Sequence, residues 1–448
     1  MKITIIKTFA AASITLLFVA CKPEIDIPAA TKGSLDVSKY VAIGNSHTAG
    51  YADNALYNEA QKYSYANLLS AQFKLVSGGE FKTPYVSATS VGIGASQNAP
   101  LGLGPVADCM GAVSLAPVYL ADKGDLSIFV TSVAAQGPFN NMGVPGAKVT
   151  TVLYPGYGNP ANGSGNFNPF YTRMTADPVS NSILSDAATQ APTFFSMYLG
   201  HDDVMNYAMS GGLADIITPS AGAPGSGFDG SVDAILNTLT ANGSKGVVAN
   251  LTHLNAIPYF TTVPYNGLLL DQANATALTA AYTPLGMTFQ AGYNGFVIED
   301  AGAPGGMRKI QQGEMVLLSV PQDSLKCAGW GSMKPIPDQY ILTASEITQV
   351  TNAITAFNVK LQAAATARDL AYVDVNAFLN TLNSGIMYNG AGISTQFVQG
   401  GAYSLDGVHL SPKGNALLAN QFIKAINAKY GSTIPAIDAT GFRGVVFP

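Results

Sequence analysis

Tyr40-Val41-Ala42-Ile43-Gly44-Asn45-Ser46-His47-Thr48-Ala49-Gly50-Tyr51 is the stretch on which the reading of this 448-residue chain turns. Its apolar run, Tyr40 to Ile43, has the length and composition of a buried strand. The Gly-Asn turn that follows delivers a serine at the strand's end, where a sheet presents a nucleophile to solvent. A single serine in a turn is ordinarily only a turn residue, so the stretch needs a partner elsewhere in the chain.

That partner stands near the other end, in Asp406-Gly407-Val408-His409-Leu410-Ser411-Pro412. An Asp three residues before a His supplies a general base and the carboxylate that orients it from one turn. Ser46, Asp406 and His409 are therefore a candidate Ser/His/Asp triad. No G-x-S-x-G elbow occurs in the chain, which argues against the α/β-hydrolase arrangement, where Asp and His are also well separated.

The pairing of a G-N-S block with a D-x-x-H block resembles the SGNH (GDSL-type) hydrolases, whose first block reads G-D-S and whose last reads D-x-x-H. Two intermediate blocks strengthen the resemblance. Asn141-Met142-Gly143-Val144-Pro145-Gly146-Ala147 resembles the second, whose final glycine, here Gly146, gives a backbone N–H to the oxyanion. Tyr198-Leu199-Gly200-His201-Asp202-Asp203-Val204 resembles the third, normally G-x-N-D after a buried strand. The resemblance implies a three-layer α/β/α, flavodoxin-like fold with a parallel sheet, and an oxyanion hole from Ser46, Gly146 and the residue at 202. It also implies an esterase or lipase acting on an ester substrate, an acyl lipid or an acetylated glycan, with no cofactor or metal required.

Two positions depart from the pattern. Asn45 stands where the family has Asp, and Asp202 where it has Asn. An ionised carboxylate only accepts hydrogen bonds, so Asp202 would oppose a developing oxyanion. Three readings are open: a protonated Asp202, a donor from His201 or water, or a slow enzyme. Asp202 is also the feature that favours the alternative reading, an inactive surface lipoprotein binding glycan or lipid. His201-Asp202-Asp203 as a metal site is disfavoured, because adjacent turn residues do not face one ion and no second cluster supports them. His47 and His253 read as cleft-lining or structural.

The segments between the blocks alternate strand and helix, which by itself implies a parallel sheet with helices on both faces. Expected strands are Lys39–Ile43, Leu126–Val133, Thr193–Leu199, Gly246–Leu251 and Leu370–Val375. Expected helices are Tyr63–Phe73, one opened by the capping box Thr343-x-x-Glu346 and running through Arg368, and Pro412–Tyr430. Gly78–Gly124, Tyr154–Pro169 and Pro264–Pro337, with a short strand at Met315–Val320, exceed what a minimal domain needs. They read as long loop insertions walling the substrate cleft. Gly92-x-Gly94 lacks a third glycine and reads as a loop, not a dinucleotide fingerprint. Leu101, Leu103 and Leu268-Leu269-Leu270 lean toward an acyl chain as the substrate group.

Only 11% of residues are charged, against roughly 25% in average soluble proteins, and the net charge is −5. That balance argues against nucleic acid or a polyanion as the partner. Lys2, Lys7 and the apolar run Phe9–Ala20 read as a signal peptide (1–20). Ala20-Cys21 resembles a bacterial lipobox, which implies lipidation of Cys21 and attachment to the cell envelope, at the outer membrane. Residues 21–38 read as a tether and 39–448 as the hydrolase domain. Cys109 and Cys327 remain, either as a disulfide or as two isolated thiols.

Overall fold

The computed structural model describes residues 29–448. Five strands form the central sheet: β1 (Tyr40–Gly44), β2 (Asn141–Gly143), β3 (Phe194–Tyr198), β4 (Lys245–Ala249) and β5 (Ala371–Val373). They lie in the order β2-β1-β3-β4-β5, and every neighbouring pair is parallel. This is the flavodoxin-like order, in which strand order reverses on either side of β1 and ligands bind beyond the strands' carboxyl ends. The helices used below are α1 (Ser46–Ala49), α2 (Tyr65–Lys74), α3 (Asp202–Met209), α4 (Phe228–Thr240), α5 (Gln322–Lys326), α6 (Ala344–Ala367) and α7 (Pro412–Tyr430).

Successive strand residues serve opposite faces, so both layers can be read from β1. Val41 and Ile43 join Phe195, Met197 and Val248 in the core covered by α4 and α6. Tyr40 and Ala42 join Phe194, Tyr198 and Val247 in the core covered by α2 and α7. Stacked rings mark each seam: Phe228 of α4 on Phe357 of α6, with centroids 3.7 Å apart, and Tyr65 of α2 on Phe422 of α7 at 4.7 Å. A sheet buried on both sides requires near-continuous apolar strands, as β1 and β3 are. The Thr343–Glu346 capping box opens α6, and α7 spans Pro412–Tyr430 as its sequence indicates.

Three expectations are corrected. The apolar segment Leu126–Val133 is not a sheet strand. Asp125 accepts from Ser127 N–H at 3.0 Å and turns the chain into a helical turn, Ser127–Val130, and Val130 is left 84% exposed. The strand beside β1 is instead Asn141–Gly143, whose register pairs Ala42 with Asn141. The expected tether is shorter than 21–38, because Leu35 and Val37 are buried in the α2–α7 core and Ser34 N–H donates to the Tyr430 carbonyl at 3.1 Å. Residues 1–28, including Cys21, lie outside the described residues. The insertion at 78–124 is not all loop, since Leu101–Ala107 and Val113–Tyr119 pair as an antiparallel hairpin.

The insertion at 264–337 contributes to a small core of its own around Phe296, Ile298 and Ile310. Within it the expected strand Met315–Val320 shortens to Met315–Val316. Cys109, at the hairpin tip, is disulfide-bonded to Cys327, just past α5. Among the described residues no helix is long and apolar enough to cross a membrane.

Candidate active site

The site is assembled at the carboxyl ends of β1, β2 and β3, at the reversal in strand order. Gly44 closes β1, and a Cβ there would sit 2.6 Å from the Tyr198 carbonyl oxygen, so the chain can turn only at glycine. Asn45 caps α1, accepting from His47 N–H at 3.3 Å, and places Ser46 at the first helical position. The Ser46 N–H therefore has no intrahelical acceptor, as expected at a helix start. After β2 the chain turns at Gly146, whose φ of +80° is strained for any side-chain-bearing residue. Neither the Ser46 nor the Gly146 N–H donates to any acceptor among the described residues.

Ser46 and His409, 363 residues apart in sequence, meet at 2.9 Å between Oγ and Nε2. The His409 Nδ1 lies 2.8 Å from Asp406 Oδ2. Asp406 Oδ1 accepts from the N–H groups of Val408 and His409, both at 2.8 Å, and from Ser404 Oγ at 3.0 Å. Burial alone would raise the Asp406 pKa. The adjacent imidazole and the ring of donors outweigh it and bring the value down to about 2. Asp406 is thus a carboxylate across the neutral range, and His409 Nδ1 must carry the proton that it accepts. Nε2 is left as the acceptor facing Ser46.

The residues that hold this geometry include several that the motif reading did not reach. Asn54 N–H donates to Asp406 Oδ2 at 3.0 Å. Asp53 accepts from Leu405 N–H at 2.9 Å, and its own N–H donates to Ser404 Oγ at 3.0 Å. Asp53 and Asn54 both have left-handed φ values, 51° and 62°. Asp and Asn tolerate that conformation best among non-glycine residues, so an Asp-Asn pair shortly after Ser46 was the available signal. His47 sits between the rings of His201 and His409, at 4.9 and 5.0 Å. Burial, then the two neighbouring imidazoles, hold its pKa well below the ordinary value, so it is neutral.

Asp202 is brought to the same place, at the start of α3. The Asn45 amide Nδ2 donates to Asp202 Oδ2 at 2.5 Å. The two departures from the family pattern thus touch each other: the amide has moved to position 45 and the carboxyl to 202. Burial pushes the Asp202 pKa up to about 6, against the opposing pull of the Asn45 amide. Asp203, pushed up to about 7 by burial, accepts from Val149 N–H at 3.0 Å. His201 makes no hydrogen bond to Ser46 among the described residues. It is buried, burial lowers its pKa to about 3, and its Nε2 lies 3.4 Å from both Tyr198 Oη and Thr252 N. Among the described residues no group of three or more His, Cys, Asp or Glu side chains could hold a metal ion. His253, just beyond β4, is half-buried and has no part in these contacts.

Comparison with known proteins agrees with the blocks. The family model described as GDSL-like lipase/acylhydrolase matches residues 40–422. The chain belongs to the GDSL-like lipase/acylhydrolase family. That match runs from the first residue of β1 into α7 and includes Ser46, Gly146, Asp202, Asp406 and His409. No curated protein sequence matches the chain. Among solved structures, the chain resembles a protein from Parabacteroides merdae ATCC 43184 provisionally assigned as a GDSL-like lipase. The identity is 11% and the TM-score 0.32, with 88% of this chain and 97% of that one covered. So low a TM-score carries no argument about the site.

Proposed function

We propose that this family member hydrolyses carboxylic esters through an acyl-enzyme on Ser46. The observation that carries the reading is the unbroken series Ser46 Oγ to His409 Nε2 to Asp406, at 2.9 and 2.8 Å. Ser46 Oγ attacks the ester carbonyl carbon as its proton passes to His409 Nε2, and the carbonyl oxygen takes the negative charge. The N–H groups of Ser46 and Gly146, free of other acceptors, stabilise that charge. Asp406 stabilises the imidazolium and fixes its orientation without itself taking the proton. Collapse expels the alkoxide, which receives the His409 proton and leaves as the alcohol. Water then attacks the acyl carbon as His409 takes its proton, the acyl–Oγ bond breaks with that proton passing to Ser46 Oγ, and the carboxylic acid is released.

The test is labelling by a fluorophosphonate, which needs an activated serine, together with turnover of a p-nitrophenyl ester. Wild-type protein should label at Ser46 and turn over ester. Ser46→Ala should do neither, with kcat lower by about a million-fold, as when one member of a serine triad is removed. Equal turnover by a folded Ser46→Ala protein overturns the assignment.

We also propose that the protein is held at the bacterial envelope by lipid on Cys21, which the Ala20-Cys21 pair after a short apolar run supports. Mass spectrometry should find acyl groups on Cys21 in wild type, and Cys21→Ser should be neither lipidated nor membrane-associated. A wild-type protein without lipid mass would end that reading.

A further inference from the structure

A cavity of about 840 Å³ lies beside the triad, bordered by Asp406 and by Asn54, the donor to Asp406. Its volume is within the range of small-molecule sites, roughly 300–1,000 Å³. One wall is the 101–119 hairpin, through Leu101, Val106, Ala116 and Pro117. The opposite wall is Tyr259, Val263 and Leu318. Among the described residues, Asp323 is the only charged side chain around it apart from Asp406. An occupant of this space meets mainly hydrocarbon, with the Asp406 carboxylate of the triad at its border.

The hairpin is held in an unusual way. None of its apolar side chains from Leu101 to Tyr119 belongs to the buried core, and Val113 is 68% exposed. Its side chains are at most partly buried, so hydrogen bonds and a covalent tie carry much of its placement. Its base is tied to the loop that supports Asp406: Leu101 N–H donates to the Asp53 carbonyl at 2.8 Å, and Asn54 Nδ2 donates to Tyr119 Oη at 3.2 Å. Its tip is tied across the cavity by the Cys109–Cys327 disulfide, with Asp108 and Lys326 paired alongside at 3.8 Å. Cys327 follows α5, whose first residues, Gln322 and Asp323, line the cavity. The disulfide thus joins the hairpin tip to the end of α5, across 218 residues of sequence.

We infer that this disulfide-braced cavity holds the acyl chain of a long-chain ester substrate while Ser46 attacks its carbonyl. The inference rests on the ester-hydrolase reading for the chemistry, but not for the binding. Burying apolar chain in such a cavity favours long substrates by about fourfold per methylene at full burial. The brace makes the preference conditional: with the tip released, one wall of the chain site is no longer positioned, whereas the hydrogen bonds joining Ser46, His409 and Asp406 do not run through the hairpin.

The experiment compares p-nitrophenyl esters from acetate to decanoate, which vary the acyl group alone, on the full mature protein. In wild type kcat/KM should rise about 100-fold or more from acetate to octanoate. Ala116→Trp on one wall and Val263→Trp on the other should each remove at least about tenfold of octanoate turnover and leave acetate within about twofold. Joint Cys109→Ser and Cys327→Ser substitution should act in the same direction. A second measurement does not depend on turnover: folded Ser46→Ala protein should bind the fluorescent fatty acid cis-parinaric acid, and Ala116→Trp in that background should weaken binding.

A flat acyl series in a protein whose Ser46 turns over acetate overturns the inference and leaves the esterase reading standing. So does a flat acyl series accompanied by a rising series of alkyl acetates, which would assign the cavity to the alcohol side. Loss of all labelling and turnover with intact, plug-sensitive parinaric acid binding ends the esterase reading and keeps the cavity's chemistry. Absent binding, or binding unchanged by both plugs, ends the cavity assignment whatever the turnover.

Discussion

Replacing Asp202 by Asn tests the feature in which this chain departs most from its family. Asp202 has its pKa raised by burial to about 6, and its Oδ2 already accepts from the Asn45 amide. Below pH 6 the neutral carboxyl can donate its O–H to a developing oxyanion. Above it, the group is an anion that cannot donate. At pH 8, two units above that value, only about 1% of Asp202 is protonated, a penalty of about 2.7 kcal/mol on a step that requires the donor. That equals the lower end of the 2.7–4 kcal/mol that one oxyanion donor contributes. Asn at 202 can accept from Asn45 through its carbonyl and keep an N–H donor at every pH. The kcat of Asp202→Asn over wild type should therefore be close to one at pH 5, about twofold at pH 6, and approach about 100-fold at pH 8. The assay is saturating p-nitrophenyl ester turnover across that range, with circular dichroism to show that the fold is kept. Parallel wild-type and variant pH profiles would refute the donor argument. Loss of activity at all pH values in a folded protein would show that the carboxylate itself is needed, as a base or ligand.

Three further outcomes are expected. Gly146→Ala should fold, since its new Cβ meets only the Asn168 amide at 3.6 Å, yet the strained φ should displace the free N–H and lower kcat about tenfold or more, read by turnover. Asp203, like Asp202, has a folded pKa above its unfolded value, so the neutral form favours folding below about pH 4 and that contribution is lost as pH rises through about 7. Asp203→Asn should thus melt higher than wild type at pH 8, with the difference shrinking toward pH 4, measured by thermal denaturation. Leu35→Ala should cost about 2–5 kcal/mol in denaturant unfolding because Leu35 is buried.

Much of the site was legible in the linear sequence because its signals are local. The strand–Gly-Asn–Ser turn, the four-residue Asp406–His409 block, the Thr343–Glu346 capping box and the closing helix from Pro412 each depend on residues a few positions apart. Their backbone and hydrogen-bond requirements are therefore written in adjacent side chains. Tertiary structure decided the rest. Asn141–Gly143 has no intrinsic strand character and is a strand because β1 pairs with it, while the more strand-like Leu126–Val130 turns helical at Asp125. The Asp202 pKa depends on burial and on the Asn45 amide 157 residues away, neither of which has a local signature. Cys109 and Cys327 could equally have been separate thiols until folding brought their Cα atoms to 6.3 Å. Sequence singled out Ser46, Asp406 and His409, because their contacts begin in short turns. Only packing between distant segments set the charge state at Asp202 and built the cavity beside Asp406, because both depend on which groups exclude water together.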